Sequence, residues 1–335
     1  MRETSVRPCA VCGKPTIAFN YGVNCCNACK QFYKRMKDSK NIPTNCRMGG
    51  NCSKCRYCRY QMCLAAGLRP PVSSLPMALT ESRPQLPAVL QYLEYLELQR
   101  HDTFANYILS APEFNLEEFV LSDSSTYTKK SSGFVPTFSN WTTQILSTSI
   151  DLIKRFELTR ALSKSEKMDF VMSSFRTHAT LCIAMRSYSN QKEGTEFPGG
   201  MDTVPRELAD HYDMSPKVLS KIRCTLVAKL RDLGVTSEEF LLLSALLICT
   251  PGVPGTIFST STQNHIIRYQ RLFTSILMQL CMQHFQSNGP TRFSELLSIF
   301  STIKRTLGDF DNAIIGMQCS TPAANIEKVF VDMLN

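Results

Sequence analysis

Residues 9–68 read CAVCGKPTIAFNYGVNCCNACKQFYKRMKDSKNIPTNCRMGGNCSKCRYCRYQMCLAAGL, and this stretch decides how the chain is organised. Four of its cysteines are spaced C-x2-C-x13-C-x2-C: Cys9, Cys12, Cys26 and Cys29. Two thiolates separated by two residues can bind one ion, and two such pairs complete the tetrahedral coordination of a structural zinc site. The spacing therefore predicts that these four cysteines hold one Zn²⁺.

A basic, helix-compatible segment follows the second cysteine pair directly, over residues 30–37. At 3.6 residues per turn, amide and cationic side chains share one face: Asn27, Lys30, Gln31 and Lys34, with Arg35 at the edge. Aromatic and apolar side chains share the other: Phe32, Tyr33 and Met36. Lysine, arginine, asparagine and glutamine hold phosphates and read base edges, and one helix fits the major groove. A merely solvated basic face is the alternative, but a metal site that fixes the helix start favours DNA reading.

A second group of cysteines predicts a second Zn²⁺: Cys46, Cys52, Cys55 and Cys58. Cys25 and Cys63 remain as spare thiols. A helix is expected from about Arg56 to Gly67, with Tyr57, Tyr60 and Leu64 on its apolar face. Packing of that face on Phe32 and Tyr33 would form the small core that a metal-dependent unit needs.

These sixty residues resemble the DNA-binding domain of nuclear receptors. The resemblance is carried by Tyr21-Gly22-Val23, Cys26-x-x-Cys29-Lys30, Phe32-Tyr33-Lys34-Arg35 and Cys58-Arg59-Tyr60-x-x-Cys63-Leu64-x-Ala66-Gly67. It implies that the helix from Asn27 enters the major groove of a short half-site. It also implies base and phosphate contacts by Lys30, Lys34 and Arg35, and phosphate contacts by Tyr21 and Arg59. Cys63 matches a family position that packs in the core, so a buried thiol is expected there.

The chain departs from that family pattern in two places. Asn27, Ala28 and Gln31 occupy the positions that set half-site specificity, and the Asn-Ala pair looks like that of divergent nematode members. The half-site sequence is therefore not transferable. The family's second metal site usually reads C-x5-C-x9-C-x2-C, but only two residues separate Cys52 from Cys55 here. The loop over residues 47–51, which in the family contacts a dimer partner, keeps its full length and leaves a homodimer or a heterodimer open.

Charge and cysteine content separate the two ends of the chain. Residues 1–70 hold 13 Lys and Arg against 2 Asp and Glu, and the remaining residues hold 24 against 26. Ten of the 15 cysteines also lie in the first seventy residues, and no apolar signal stretch precedes them. This pattern indicates a polyanionic partner, metal in place of disulfides and a reducing compartment. Together with the resemblance, it predicts a nuclear protein. The longest apolar run, residues 240–249, is too short to span a bilayer, so no membrane partner is expected.

The pattern predicts a short tail at 1–8, a zinc-stabilised DNA-binding domain at 9–68, a proline-rich hinge at 69–87 and an all-α domain at 88–335. Helical segments are predicted at residues 86–98, 144–162, 164–186, 238–249, 266–285, 293–307 and 326–334. The segment 238–249 is apolar on every side and should be fully buried. Residues 121–140 are expected to form a loop, and 187–205 an irregular region that could hold a short hairpin.

The all-α part resembles a nuclear-receptor ligand-binding domain, a helical bundle. Residues 154–187 align with the family's signature from helix 3 to helix 5, and Arg292-Phe293-x-x-Leu296-Leu297 looks like its penultimate helix. The family's activation helix is matched by Val329, Phe330, Asp332, Met333 and Leu334. Lys154 and Asp332 match two clamp positions that hold the LxxLL helix of a coactivator or corepressor at its opposite ends. A solvated Lys154 and a last helix that merely packs are the alternative.

Arg186, at the end of an apolar helix, matches a family position that often meets an acidic ligand group. It either binds the carboxylate of a small lipophilic ligand or forms an internal salt bridge, and the sequence leaves both open. No catalytic motif is present, so an enzyme is not predicted. The leading interpretation is a DNA-binding transcription factor; the alternative is a zinc-scaffolded RING-like or LIM-like adaptor. That adaptor gives no reason for a cationic helix face.

Overall fold

The computed structural model describes residues 7–16, 19–20, 23–37, 46, 52, 55–66, 68, 86–109, 116–122, 127–131, 133–204, 206–211, 214–250 and 258–320. The chain divides into two compact units, residues 1–73 and 74–335. The first contains cysteine-rich hairpins and two helices, and the second is mainly helical.

The N-terminal unit contains two short antiparallel hairpins followed by helices α1 and α2. Strand β1 (Arg7–Pro8) pairs with β2 (Pro15–Thr16), and β3 (Phe19–Asn20) pairs with β4 (Val23–Asn24). Helix α1 spans Asn27–Lys37 and α2 spans Arg56–Ala65. The first hairpin turns tightly because Gly13 adopts a φ of +71° and its N–H donates to the Cys9 carbonyl at 2.8 Å.

The core of this unit lies between α1 and α2. Tyr33 and Met36 are buried, and the ring of Tyr33 stacks on Tyr60 with 5.8 Å between centroids. Cys63 is fully buried, as predicted, whereas Leu64 is 43% exposed. The predicted apolar face of α2 is therefore wrong at Leu64. The thiols of Cys58 and Cys63 point inward and fix the rotation of α2, which leaves Leu64 outside.

The second unit contains ten described helices and two small two-stranded antiparallel sheets. The helices are α3 (Leu86–Asn106), α4 (Leu116–Leu121), α5 (Phe138–Arg155), α6 (Glu157–Arg160), α7 (Lys164–Ser189), α8 (Arg206–His211), α9 (Pro216–Asp232), α10 (Ser237–Ile248), α11 (Thr260–Phe285) and α12 (Gly289–Ser320). A 3-10 turn, Gln286–Asn288, joins the last two. Strand β5 (Tyr107–Leu109) pairs with β6 (Tyr127–Lys129), and β7 (Glu196–Phe197) pairs with β8 (Met201–Asp202).

Most of the predicted helices are confirmed, several with longer bounds. The predicted single helix 144–162 is wrong, because Phe156 adopts a non-helical ψ of 136° and separates α5 from α6. The hairpin between residues 187 and 205 is also confirmed, and Gly199 and Gly200 form its turn with φ of +85° and +79°. Helix α9 is absent from the predicted set, although the Ser215 hydroxyl caps it and Pro216 occupies its first turn. The expected loop at 121–140 contains β6 and the start of α5. The predicted helix 326–334 lies outside the described residues.

The interior of this unit is formed where α5, α7 and α10 pack on α3, α11 and α12. Residues 242–249, which form most of α10 and its C-cap, are buried, as predicted, whereas Glu238 is exposed and Leu241 is half-buried. Phe156 bridges α3 and α11, with its ring edge-on to Tyr92 at 6.2 Å and to Phe273 at 6.2 Å. None of the helices that the structure describes is long and apolar enough to cross a membrane.

Candidate functional site

The first four predicted ligands converge at the start of α1. The thiols of Cys9, Cys12, Cys26 and Cys29 lie within 4.8 Å of one another. The sulfurs of Cys12 and Cys26 are 3.7 Å apart, and the Cys26 N–H donates to the Cys9 sulfur at 3.3 Å. Four sulfurs bound tetrahedrally to one Zn²⁺ would lie about 3.8 Å apart. The cluster therefore fits a structural zinc ion.

The electrostatics of this cluster require a cation. Burial opposes ionisation of the Cys9 thiol, but hydrogen bonds from the backbone of Cys26, Cys12 and Val11 lower its pKa to about 6. Burial raises the pKa of Cys12 and Cys29. Four thiolates this close would repel one another, and a bound Zn²⁺ supplies the charge that keeps all of them deprotonated.

The second cluster closes in spite of its shortened spacing. The thiols of Cys46, Cys52, Cys55 and Cys58 lie within 4.8 Å of one another. The sulfur of Cys46 is 3.7 Å from that of Cys52 and 3.8 Å from that of Cys55. Cys55 also caps α2, because its sulfur accepts the Cys58 N–H at 3.2 Å. The chain therefore has two four-cysteine zinc sites, each joined to the start of a helix.

Cys25 lies outside the first cluster although it neighbours Cys26. It is fully buried, its thiol donates to the Cys26 carbonyl at 3.4 Å, and burial raises its pKa to about 12. Such a thiol stays protonated and packs as a small apolar group.

The predicted nucleic-acid face of α1 is exposed. Asn27, Ala28, Gln31, Lys34 and Arg35 are all exposed, and Lys30 is half-buried. The opposite side carries the buried Phe32, Tyr33 and Met36. The basic and amide side chains therefore share the outer surface of a helix whose first turn holds a zinc ligand, Cys29.

Arg59, the predicted phosphate contact on α2, lies beside this helix. Its guanidinium stacks over the Phe32 ring at 4.4 Å and donates to the Cys29 sulfur at 3.5 Å. Arg59 therefore joins α2 to the first metal site and to the back of α1. Tyr21, the other predicted phosphate contact, lies outside the described residues.

Lys154, the predicted clamp residue of the helical unit, is buried near the end of α5. Its ammonium donates to the Phe119 carbonyl at 2.7 Å and lies 3.5 Å from the carboxylate of Asp151. Asp151 in turn accepts a 2.6 Å hydrogen bond from the Tyr127 hydroxyl. Lys154 therefore contacts α4. The rest of the predicted clamp, Val329, Phe330, Asp332, Met333 and Leu334, lies outside the described residues.

The helical unit contains a partly open cavity of about 140 Å³ between α5, α7, α9, α12 and the β7–β8 hairpin. Its walls are mostly apolar, and Arg176 is the charged side chain among the described residues that line it. Arg176 forms an ion pair with Asp311. Arg186 instead donates to the Glu196 carbonyl at 3.1 Å, and burial lowers its pKa.

Arg176 was not predicted as a site residue, although a sequence signal for it exists. Ala179, Thr180 and Ile183 follow it at helical spacing on α7 and line the same cavity.

The sequence placed Arg292 in the penultimate helix but predicted no partner for it. It forms a buried bidentate pair with Glu239, with N–O distances of 2.8 and 2.7 Å.

Two four-cysteine zinc sites that support an exposed basic helix, followed by a helical domain, define a zinc-finger DNA-binding protein with a second regulatory-type domain. Residues 7–70 match the double treble clef zinc finger of C4 type. Residues 124–314 match the ligand-binding domain of nuclear hormone receptor.

Caenorhabditis elegans proteins are similar to this chain over nearly its whole length. Nuclear hormone receptor family member nhr-167 is 31% identical over 97% of this chain and 96% of its own. Family member nhr-27 is 29% identical over 99% of this chain and 93% of its own. Family member nhr-9 is 28% identical over 99% of this chain and 97% of its own.

The chain belongs to the nuclear hormone receptor family. Its two matched domains make it a DNA-binding transcription factor of the nuclear receptor type, with two zinc ions, and do not favour the RING-like or LIM-like adaptor. Members of this family are generally transcription factors that catalyse no reaction.

Proposed function

We propose that α1 lies in the major groove of a short duplex half-site. Lys30, Lys34 and Arg35 contact phosphates and base edges, while Asn27, Ala28 and Gln31 set the base preference. Tyr21 and Arg59 contact the phosphate backbone. The protein acts in the nucleus, and residues 47–51 pair it with a second receptor on adjacent half-sites.

The observation that carries this proposal is the division of α1 into two faces. Tyr33 and Met36 are 3% and 1% exposed, so the back of the helix cannot rotate outward. Cys29 fixes the first turn to a metal site. The exposed amide and cationic side chains therefore keep one orientation, which is what register on a duplex requires.

The test is selection of duplex sequences by the zinc-loaded full chain, followed by binding measurements at several salt concentrations. Lys34→Ala should weaken binding to every selected sequence and flatten the slope of log K against log salt by about 0.9, because one phosphate contact is lost. Arg56→Ala, which removes an exposed charge from α2, is the matched control. An unchanged slope for Lys34→Ala would refute its phosphate contact.

The helical unit is proposed to recruit coregulators through Lys154 and the activation-helix residues. A short LxxLL helix offers an apolar face and a dipole that favours a cation at its C-terminal end and an acid at its N-terminal end. Lys154 is the cation and Asp332 the acid, while Val329, Phe330, Met333 and Leu334 supply apolar contacts. Asp332→Ala should lower the affinity for a labelled LxxLL peptide, with Glu327→Ala as control. Equal affinities would discard the clamp.

The cavity beside Arg176 is proposed to bind a compact apolar carboxylic acid. Its volume is close to that of an apolar protein cavity that holds one benzene molecule. Arg176 has five N–H donors and can donate hydrogen bonds to a ligand carboxylate in place of Asp311. Thr306 lines the same cavity, and its buried hydroxyl has no hydrogen-bond partner among the described residues, so it can donate to a ligand oxygen.

Thermal unfolding with phenylacetate and with its neutral analogue 2-phenylethanol tests this assignment. Phenylacetate should raise the Tm more than the alcohol, and Arg176→Met should remove the difference, because the guanidinium supplies the charge recognition. Arg186→Met, on the same helix but outside the cavity lining, should retain it. If Arg186→Met removes the Tm difference and Arg176→Met retains it, Arg186 binds the ligand carboxylate instead.

A further inference from the structure

Helix α4 has the side-chain pattern of a docking helix. Leu116, Phe119 and Val120 stand at positions i, i+3 and i+4; Phe119 and Val120 are 9% and 0% exposed, and Leu116 is half-buried. Glu117 and Glu118 face solvent. A helix of six residues is too short to be stable alone in water. Its conformation therefore depends on the surface of α5 and α7 against which it packs.

Lys154 contacts the C-terminal end of this short helix. Its ammonium donates to the Phe119 carbonyl at 2.7 Å, lies 3.5 Å from the Ser122 hydroxyl and lies 4.9 Å from the centre of the Phe119 ring. The last carbonyls of a helix lack intrahelical partners and carry the negative end of its dipole. A buried lysine at this place satisfies one of those carbonyls and complements the dipole.

The surface that binds α4 thus offers the contacts that an LxxLL helix would need. Both present apolar side chains at i, i+3 and i+4, and both place their C-terminal carbonyls at a cation. We propose that α4 occupies the coregulator surface as an internal substitute, so that an incoming LxxLL helix must displace α4 from Lys154. This inference rests on the proposed clamp and adds a regulatory step to it.

Two further features are consistent with an α4–Lys154 contact that can be displaced. Asp151 lies 3.5 Å from the Lys154 ammonium and would remain its partner after α4 leaves. The ammonium would therefore stay paired in the interval between the two helices, which avoids the cost of an isolated buried charge. The interface of α4 itself is small, because the helix has fewer than two turns.

The test compares binding of a fluorescein-labelled LxxLL peptide to the full chain and to Phe119→Ala. The variant loses the largest anchor of α4 and should bind the peptide about tenfold more tightly, because less free energy is needed to free the surface. Glu117→Ala, an exposed change on the same helix, should bind like the unmodified chain. Circular dichroism and the Tm establish that each variant is folded.

Amide hydrogen exchange in the unmodified chain gives a second measurement that needs no substitution. Saturating peptide should accelerate exchange at residues 116–122, because α4 is released. Equal affinity of the unmodified chain and Phe119→Ala, or peptide binding with unchanged exchange at α4, would overturn the inference and leave the clamp standing. No peptide binding to either folded protein would remove the clamp, and the inference with it.

Discussion

The N-terminal unit and the helical unit are stabilised by different means. The first surrounds a small core at Tyr33, Met36 and Cys63 with two clusters of four thiols. The second buries most of one helix, α10, and ties distant helices together with a buried ion pair. A unit of sixty residues cannot bury enough apolar surface for ample stability, so metal ligation supplies part of its folding free energy. The difference predicts distinct responses to chelation, mutation and acid.

The largest expected effect is loss of the metal. Structural Zn²⁺ contributes about 10–16 kcal/mol to small zinc domains at neutral pH. Cys29→Ala or a chelator should therefore unfold the N-terminal unit and abolish DNA binding, while the thermal transition of the helical unit stays unchanged. Circular dichroism and scanning calorimetry measure both.

Metal analysis of the full chain provides the control for that prediction. The unmodified chain and Cys25→Ala should each bind two Zn²⁺, because Cys25 lies outside both clusters. Cys55→Ala should disrupt only the second site. A stoichiometry of one in the unmodified chain would show that the shortened second cluster does not hold its ion.

The second effect concerns the buried pair between α10 and α12. Arg292 and Glu239 have side chains that are 8% and 2% exposed, and Arg292 also donates to the Leu233 carbonyl at 2.5 Å. Arg292→Met leaves a buried carboxylate without its cation and should lower the free energy of unfolding by about 3–5 kcal/mol. Arg305→Met, an exposed change on the same helix, should cost far less. Urea denaturation of the full chain measures both, and equal losses would contradict the assignment.

The smallest effect near neutral pH is a pH dependence confined to the helical unit. His178 is fully buried on α7; burial and the neighbouring Arg100 lower its pKa to about 3. Because the unfolded histidine has a pKa of about 6.5, the unfolded state binds the proton more readily. Stability is therefore complete above pH 6.5 and falls by about 1.4 kcal/mol per pH unit as the pH drops from 6.5 towards 3.

His178→Gln should remove that slope, so the two proteins should diverge between pH 5 and pH 7 and not above. His284→Gln changes an exposed histidine and serves as control. Denaturation curves recorded at several pH values supply the free energies. Parallel pH profiles for the unmodified chain and His178→Gln would show that this histidine is not the titrating group.

Local sequence patterns, namely cysteine spacing and helical periodicity, account for most of the correct predictions. The spacing of Cys9, Cys12, Cys26 and Cys29 defines a metal site because two-residue gaps bring thiols together whatever surrounds them. The two faces of α1 follow from helical periodicity over ten residues. The same reasoning failed at Leu64, because metal ligation by Cys58 and packing of Cys63 set the rotation of α2.

The amino-acid sequence by itself therefore determined the ligands of the two zinc ions, the exposed face of α1 and most helices of the second domain. The tertiary structure alone decided that the cavity is lined by Arg176 instead of Arg186, that Glu239 neutralises Arg292, and that Lys154 binds the end of α4. Lys154 and Phe119 are 35 residues apart in the chain, and Arg292 and Glu239 are 53 residues apart. Periodicity describes neighbours within one helix, whereas contacts between helices depend on how whole faces pack.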